Sequence, residues 1–473
     1  METAQEIEKE KPKNIEHDVA TIQKKQRELF DSQKTKDIAF RKAALKRLKQ
    51  EILAREQDIF AALEADFKKP VFESVLSETG VVISELDLML KKINSWSKPK
   101  RVFPSMLNFP SSDKIYPEPY GATLVIAPWN YPFQLAMAPL IGAVAAGNTV
   151  VVKPSELTMN TSKVVSEIVS AVFEEAHVAV FEGGVPVSEA LLSKKWDYIF
   201  FTGSVAVGRI VAKAAAKHLT PTTLELGGKN PCIVDDTANI KLAARRIVWG
   251  KFLNGGQTCI APDYILINAK AKHDFVRAVK DEIENAYGKD PKASPDLPRI
   301  VNEKNFHRLT KMLEGEEILV GGQQDLNDLY IAPTLLDNPK LDSEVMKDEI
   351  FGPILPLVTY RDQEDIEAII SSYDKPLSLY VFSTDKAFSQ RIIEKYSFGG
   401  GAINDTIVHF ANHRLPFGGV GNSGIGAYHG KLSFDTFSHF KPVVKRANWL
   451  DVPVRYAPYK GKLTKLKTFL KYF

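Results

Sequence analysis

The run Ala122-Thr123-Leu124-Val125-Ile126-Ala127, the alanine-rich apolar stretch 132–147 and the run Asn148-Thr149-Val150-Val151-Val152-Lys153 decide how this chain folds. The two short runs are rich in β-branched residues and read as strands, and the stretch between them reads as a helix able to cover a sheet. Strand, helix, strand predicts a βαβ unit, a largely parallel sheet and right-handed crossovers. The pattern continues with a helix over 162–176, strands over 178–181 and 198–201, a helix over 206–217 and a strand over 222–225.

A second α/β unit begins near Gly227. Its expected strands are 231–234, 264–268, 318–320, 331–335, 355–359, 377–382 and 400–404, and its expected helices are 240–252, 273–287, 304–313, 364–371 and 386–395. Residues 290–302 read as a Pro- and Asp-rich loop, and 405–430 as glycine-rich and irregular. Toward the N-terminus, Ile38, Leu45, Leu48, Ile52, Ile59 and Leu63 recur at helical spacing. A further helix is expected over 73–94, with Ile83, Leu86, Leu88, Leu90 and Ile93 facing the core and Pro99 beyond its end. Residues 104–112 read as a loop, and the prolines in 114–121 make that piece extended. A final strand over 434–439 is expected to return to it, and no internal repeat is visible.

A chain of 473 residues is too long for one simple core and predicts two or more domains. A formal net charge of +4 gives no basis for nucleic-acid binding. The two cysteines, Cys232 and Cys259, can pair once at most, and a reducing, cytoplasmic setting fits them best. Residues 1–17 are charged and lack the apolar core of a secretory signal, and 1–15 are expected to be frayed. No run of eighteen apolar residues occurs, so no membrane span is expected. At the other end Leu463, Leu466, Leu470 and Phe473 share one helical stripe among lysines. Such a tail either docks on protein or lies on an anionic membrane surface.

Cys259 follows the turn Asn254-Gly255-Gly256-Gln257-Thr258. Glycines there admit close backbone approach, and amide dipoles lower a thiol's pKa, so Cys259 reads either as a covalent nucleophile or as a packed thiol. Cys232, opening an apolar run, reads as core. The turn Thr202-Gly203-Ser204, between strand and helix, either offers free amides to a phosphate or is an ordinary helix cap. No G-x-G-x-x-G fingerprint stands in a suitable context. Lys153 and Glu156 close a strand where open α/β sheets hold ligands, or are simply solvated. Asn130 carries an amide donor suited to a developing alkoxide, or caps a turn. Glu225, close to Gly227 and Gly228, is either a positioned base or a surface carboxylate. His409 and His413 have no further ligands at zinc-like spacing, so no metal site is expected.

Five segments in register, spanning about residues 20–445, resemble the aldehyde dehydrogenase superfamily. The Gln257-Thr258-Cys259-Ile260-Ala261-Pro262-Asp263-Tyr264 form resembles its class 3 branch, which takes fatty and aromatic aldehydes. The resemblance implies two open parallel-sheet α/β domains plus a small protruding oligomerisation sheet. It implies a dinucleotide-binding domain over 16–113 and 122–225, a catalytic domain over 226–415, a bridging segment from 114–121 and 416–447, and a tail over 448–473. It makes Cys259 the nucleophile, Asn130 and the Cys259 amide the oxyanion site, and Glu225 the activator of water. NAD, with NADP as a tolerated alternative, is expected against Trp129, Lys153, Glu156, Gly203, Ser204, Gly208, Leu226, Gly227, Glu349 and Phe351. Tyr131, Thr258, His409 and Phe417 are expected on the substrate side. The implied reaction is oxidation of medium or long aliphatic or aromatic aldehydes to acids by a homodimer. The alternatives are acyl transfer to coenzyme A, a cysteine-dependent esterase and a non-catalytic binding protein.

Overall fold

The computed structural model describes residues 12–105 and 108–471. Most of the frayed segment expected over 1–15 lies outside these residues, and a helix already begins at Pro12 (Pro12–Asp31). The first sheet has six strands in the order Gly424–Ile425, Thr222–Glu225, Tyr198–Thr202, Ala122–Ile126, Thr149–Lys153 and Val178–Val180. All neighbours are parallel except the Gly424–Ile425 edge. Strands Ala122–Ile126, Thr149–Lys153 and Tyr198–Thr202 are buried at every residue. That is why they read as continuous apolar runs rather than alternating ones. Helix Gln134–Ala146 is likewise buried all round.

Strand order in this sheet reverses between Ala122–Ile126 and Tyr198–Thr202, which pair with each other. Ligand crevices form beyond the carboxyl ends of strands at such a reversal. Residues 127–131 leave one of these strands, and Gly203 and Ser204 leave the other.

The second sheet has seven strands in the order Ile318–Val320, Thr334–Asp337, Ile354–Tyr360, Tyr264–Asn268, Pro231–Val234, Ser378–Phe382 and Gly400–Ile403. Only the Ile318–Val320 edge runs antiparallel. One buried cluster joins Leu45 and Val150 on the first side to Ile247, Ile265 and Leu355 on the second, so the two sheets share a core.

The third sheet is a three-stranded antiparallel ribbon of Lys100–Val102, Ser111–Pro119 and Ser438–Arg446. It corrects the expectation of a strand over 434–439, because Lys431–Thr436 is a helix and the strand starts at Ser438. It also gains Lys100–Val102, whose short polar sequence gave no strand signal. Helix Val185–Leu192 was likewise missed, and the long helix expected over 73–94 is interrupted by a π turn, Val75–Thr79. Among that helix's expected core residues Leu86 and Ile93 are buried, while Leu88 is only half-buried and Val82 and Met89 take its place.

Candidate active site

The turn 254–258 that leads into Cys259 lies between the carboxyl end of the first sheet and the entry of the second. Asn254, Gly255 and Gly256 all take left-handed φ values (57°, 62° and 74°). A Cβ on Gly256 would stand 2.3 Å from the Gly352 carbonyl oxygen, so a glycine here lets the 349–353 loop close onto the turn. Gln257 locks the turn from within: its amide donates to the Asn254 and Arg299 carbonyls at 3.1 and 3.0 Å and accepts from the Val301 N–H at 3.1 Å. Asn230 donates to the Cys259 and Ala261 carbonyls at 2.7 and 3.1 Å, and the Tyr380 hydroxyl donates to the Ile260 carbonyl at 2.6 Å. These bonds fix the backbone around a sulfur that is itself half-buried.

Burial, then the nearby charges of Glu349 and Glu225, push the Cys259 thiol up, against the pull of the Cys259 and Ile260 N–H groups. Glu225 ends strand Thr222–Glu225 and is 3 % exposed. Neither of its carboxyl oxygens has a hydrogen-bond partner among the described residues, and burial alone raises it well above the usual carboxylate range. A thiol and a carboxyl group, both proton-bearing at rest, therefore open onto one cavity of about 190 Å³. Tyr131, Thr258 and Phe417 also line it, together with Leu135, Phe410 and Tyr428. Three further lining residues, Leu76, Trp249 and Val408, are 45 %, 40 % and 39 % exposed and mark its mouth. The walls are overwhelmingly apolar.

Asn130 is buried, and its Nδ2 donates to the Gln257 carbonyl at 3.0 Å. The Asn254 amide ties both sides together, donating to the carbonyls of Asn130 (2.8 Å) and Gln257 (3.1 Å). Tyr131 and Thr258 share a hydroxyl hydrogen bond of 2.6 Å. His409 is not brought to the cavity. It stacks on Phe417 with ring centroids 6.2 Å apart, fills the space above Gly400, and burial lowers it to about 4. It packs behind the cavity-lining Phe417 and does not itself line the cavity.

The residues expected to meet a dinucleotide gather along the crevice. Lys153 and Glu156 form an ion pair, with the ammonium buried and the carboxylate 40 % exposed, so together they present a donor and an acceptor. Ser204 caps helix Val205–Ala216 through the Val207 N–H at 3.4 Å. Leu226 packs on Gly208, where a Cβ would come within 2.7 Å of it, and the Gly203 N–H donates to the Glu225 carbonyl at 3.0 Å. A Cβ on Gly227 would lie 2.0 Å from Glu349 Oε2, so this glycine admits the carboxylate. Burial and Asp263 push Glu349 up to about 8, and its Oε1 has no partner among the described residues. Phe351 takes φ 53° and meets the Trp129 ring edge-on at 5.2 Å. An open helix N-terminus, a paired ammonium and carboxylate, an unpartnered acceptor and an aromatic edge suit the phosphates, ribose hydroxyls and ring of a dinucleotide.

Sequence reasoning missed a buried charge cluster behind this site. Lys69 Nζ pairs with Glu78 Oε1 at 2.8 Å with both side chains fully buried, and lies 4.1 Å from the Tyr131 ring centroid. Glu78 Oε2 accepts the Gln134 N–H at 2.8 Å, and Glu73 Oε2 accepts the Asn254 N–H at 2.9 Å. The sequence hid it because the apolar residues of this stretch, Val71, Phe72, Val75 and Leu76, are the exposed ones, while Lys69, Glu73 and Glu78 turn inward.

The fold and this site define an aldehyde dehydrogenase: residues 2–443 match the aldehyde dehydrogenase family, and the chain belongs to it. The chain is 49 % identical to 4,4'-diaponeurosporen-aldehyde dehydrogenase of Staphylococcus aureus over 444 residues, covering 93 % of this chain and 97 % of that one. It is 44 % identical to aldehyde dehydrogenase family 3 member A2 of Mus musculus, covering 88 % of this chain and 86 % of that one. The solved substrate-bound state of Staphylococcus aureus AldH superimposes with a TM-score of 0.94 at 47 % identity, over 96 % of this chain and 99 % of that one. The chain is thus an enzyme of NAD(P)-dependent aldehyde oxidation.

Proposed function

We propose that Cys259, Asn130 and Glu225 carry the reaction and that the substrates are medium or long aliphatic, or aromatic, aldehydes. The single observation behind this reading is that the Cys259 thiol and the unpartnered Glu225 carboxyl open onto the same apolar cavity. Cys259 sulfur, its proton released to solvent, bonds to the aldehyde carbon as the carbonyl π bond opens, and the resulting oxyanion accepts from Asn130 Nδ2 and the Cys259 N–H. Oxidised NAD(P), held by the crevice residues, would supply the acceptor for the hydride lost from the adduct carbon, and that loss leaves a thioester on Cys259. Glu225 takes a proton from water as the water oxygen attacks the thioester carbon. The carbon–sulfur bond breaks, the acid leaves and the thiol is restored.

On the cofactor side Lys153 and Glu156 hold ribose hydroxyls, and the Gly203–Ser204 turn faces the pyrophosphate over Gly208 and Leu226. Glu349, admitted by Gly227, anchors the second ribose, with Phe351 and Trp129 beside the ring. Tyr131, Thr258 and Phe417 shape the substrate channel. Residues 16–113 and 122–225 form the cofactor domain and 226–415 the catalytic domain, with 114–121 and 416–447 bridging them. The class 3 branch is supported by the 44 % identity to the mouse family 3 member A2 enzyme and by the motif around Cys259. Exposed Phe440, Val443 and Val444 on the three-stranded ribbon support a homodimer through that sheet. No helix among the described residues is long and apolar enough to cross a membrane. Helix Leu463–Leu470 leaves Leu463, Leu466 and Leu470 exposed among lysines, which supports peripheral membrane contact by a cytoplasmic enzyme; Phe473 lies outside the described residues.

The test is NAD(P)H formation across a series of linear aldehydes. An apolar channel predicts kcat/KM rising with chain length, by up to about fourfold per methylene while burial continues. A preference for two- and three-carbon aldehydes, or an absolute requirement for coenzyme A, would overturn the reading.

A further inference from the structure

Helix Gly80–Trp96 and the chain beyond the substrate loop meet at three side chains that the reaction does not use. Glu85 is 2 % exposed, and neither carboxyl oxygen has a hydrogen-bond partner among the described residues. His413 Nδ1 stands 3.4 Å from Glu85 Oε2, and His429 is 5 % exposed. One ligating atom from each of Glu85, His413 and His429 can be chosen so that all three lie within 4.8 Å of one another.

The second ring nitrogen of each histidine is already spoken for. His413 Nε2 hydrogen-bonds Ser84 Oγ at 2.8 Å, and the His429 ring hydrogen-bonds the Phe410 backbone. That leaves His413 Nδ1, 3.4 Å from Glu85 Oε2, and His429 Nε2 without a hydrogen-bond partner among the described residues, both beside the buried Glu85 carboxyl group. Metal-ligating histidines show this pattern: the outer nitrogen is tied to a hydroxyl or backbone group, and the inner lone pair is free.

We infer that Glu85, His413 and His429 form a binding site for one divalent transition-metal ion, zinc being the ion best suited to two imidazoles and a carboxylate. The set leaves a fourth position for water, and the ion's charge offsets the buried Glu85 carboxylate. The imidazoles now stack, with centroids 4.8 Å apart and planes 17° from parallel. A shared ion needs one ring to swing into line, and His413, half-buried on an irregular loop, is the one able to do so. Bound there, the ion clamps helix Gly80–Trp96 to the 407–429 segment, whose Phe410, Phe417 and Tyr428 wall the substrate cavity.

The probe is zinc chloride titrated calorimetrically into the chelator-stripped full chain carrying Cys259→Ala, so that the reactive thiol cannot bind the metal. One equivalent is expected to bind. Glu85→Gln or His413→Asn should each weaken it by more than about tenfold, beyond the usual cost of losing an outer-shell partner. Zinc-edge X-ray absorption of the loaded chain, which needs no substitution in the cluster, should show two imidazole nitrogens and oxygen. Absence of saturable binding, binding unmoved by His413→Asn, or a spectrum without imidazole would each overturn the assignment.

Discussion

In the mechanism proposed above Glu225 has to lose a proton before it activates water, and its surroundings oppose that loss. Burial raises its pKa, so the carboxylate is the minority form until the pH is well above the usual carboxylate range. The Cys259 thiol is pushed the same way. Both groups work deprotonated, so steady-state turnover should climb with pH through the neutral and alkaline range. Glu225→Gln should slow acyl release by about 100-fold or more, a general base's usual share, while a first burst of NADH survives. A stopped-flow trace with neither burst nor slowed release would argue against this division of labour. Cys259 stood out in the sequence as one of only two cysteines, after Gly255-Gly256, but only the resemblance of residues 257–264 chose a nucleophile over a packed thiol. Glu73 and Asn230 were not, because each reaches the turn from a segment distant in sequence and its own neighbours carry no periodic or motif signal.

At the scale of elements, the turn 254–258 depends on groups that are costly to bury. Burial raises Glu73 to about 7, even though Lys69 and the Asn254 N–H oppose it. Its folded pKa lies above its unfolded value. The stability it contributes is therefore complete below about pH 4.5 and is lost as the pH rises through about 7. Glu73→Gln keeps an acceptor for the Asn254 N–H and has no proton to lose. Urea midpoints measured at pH 5 and pH 8 should therefore converge in this variant relative to the parent, and an unchanged gap would show that Glu73 does not titrate as described. Gly256→Ala sets a Cβ against the Gly352 carbonyl at positive φ. It should cost about 1–3 kcal/mol of strain, read as a lowered Tm together with reduced kcat/KM. The buried parallel strands could be read from their apolar runs, but the edge strand Gly424–Ile425 fell in the stretch expected to be irregular. The π turn Val75–Thr79 could not be read, since it leaves helical periodicity almost intact while rotating Leu76 and Ser77 into the cavity wall.

For the whole molecule, the shared core means the two sheets cannot open independently without exposing Ile247, Ile265 and Leu355. A shared core suits the proposed chemistry, which demands close alignment of thiol, aldehyde and nicotinamide. The C-terminal segment stands apart from that core. Removing 461–473 should leave turnover of a short soluble aldehyde unchanged and abolish co-sedimentation with anionic vesicles; retained sedimentation would assign the tail to protein docking instead. The paired strands Ser111–Pro119 and Ser438–Arg446 were visible only in part, because the antiparallel register runs nine residues and begins four residues after the expected start.

The most direct measurement is the mass of the chain after brief exposure to NAD and a long-chain aldehyde in the Glu225→Gln background, with peptide mapping of the adduct. A single acyl group on Cys259, present only when both aldehyde and NAD are supplied, is the expected result. An unmodified Cys259 with NADH still forming, or an adduct on another residue, would contradict a covalent route through this sulfur.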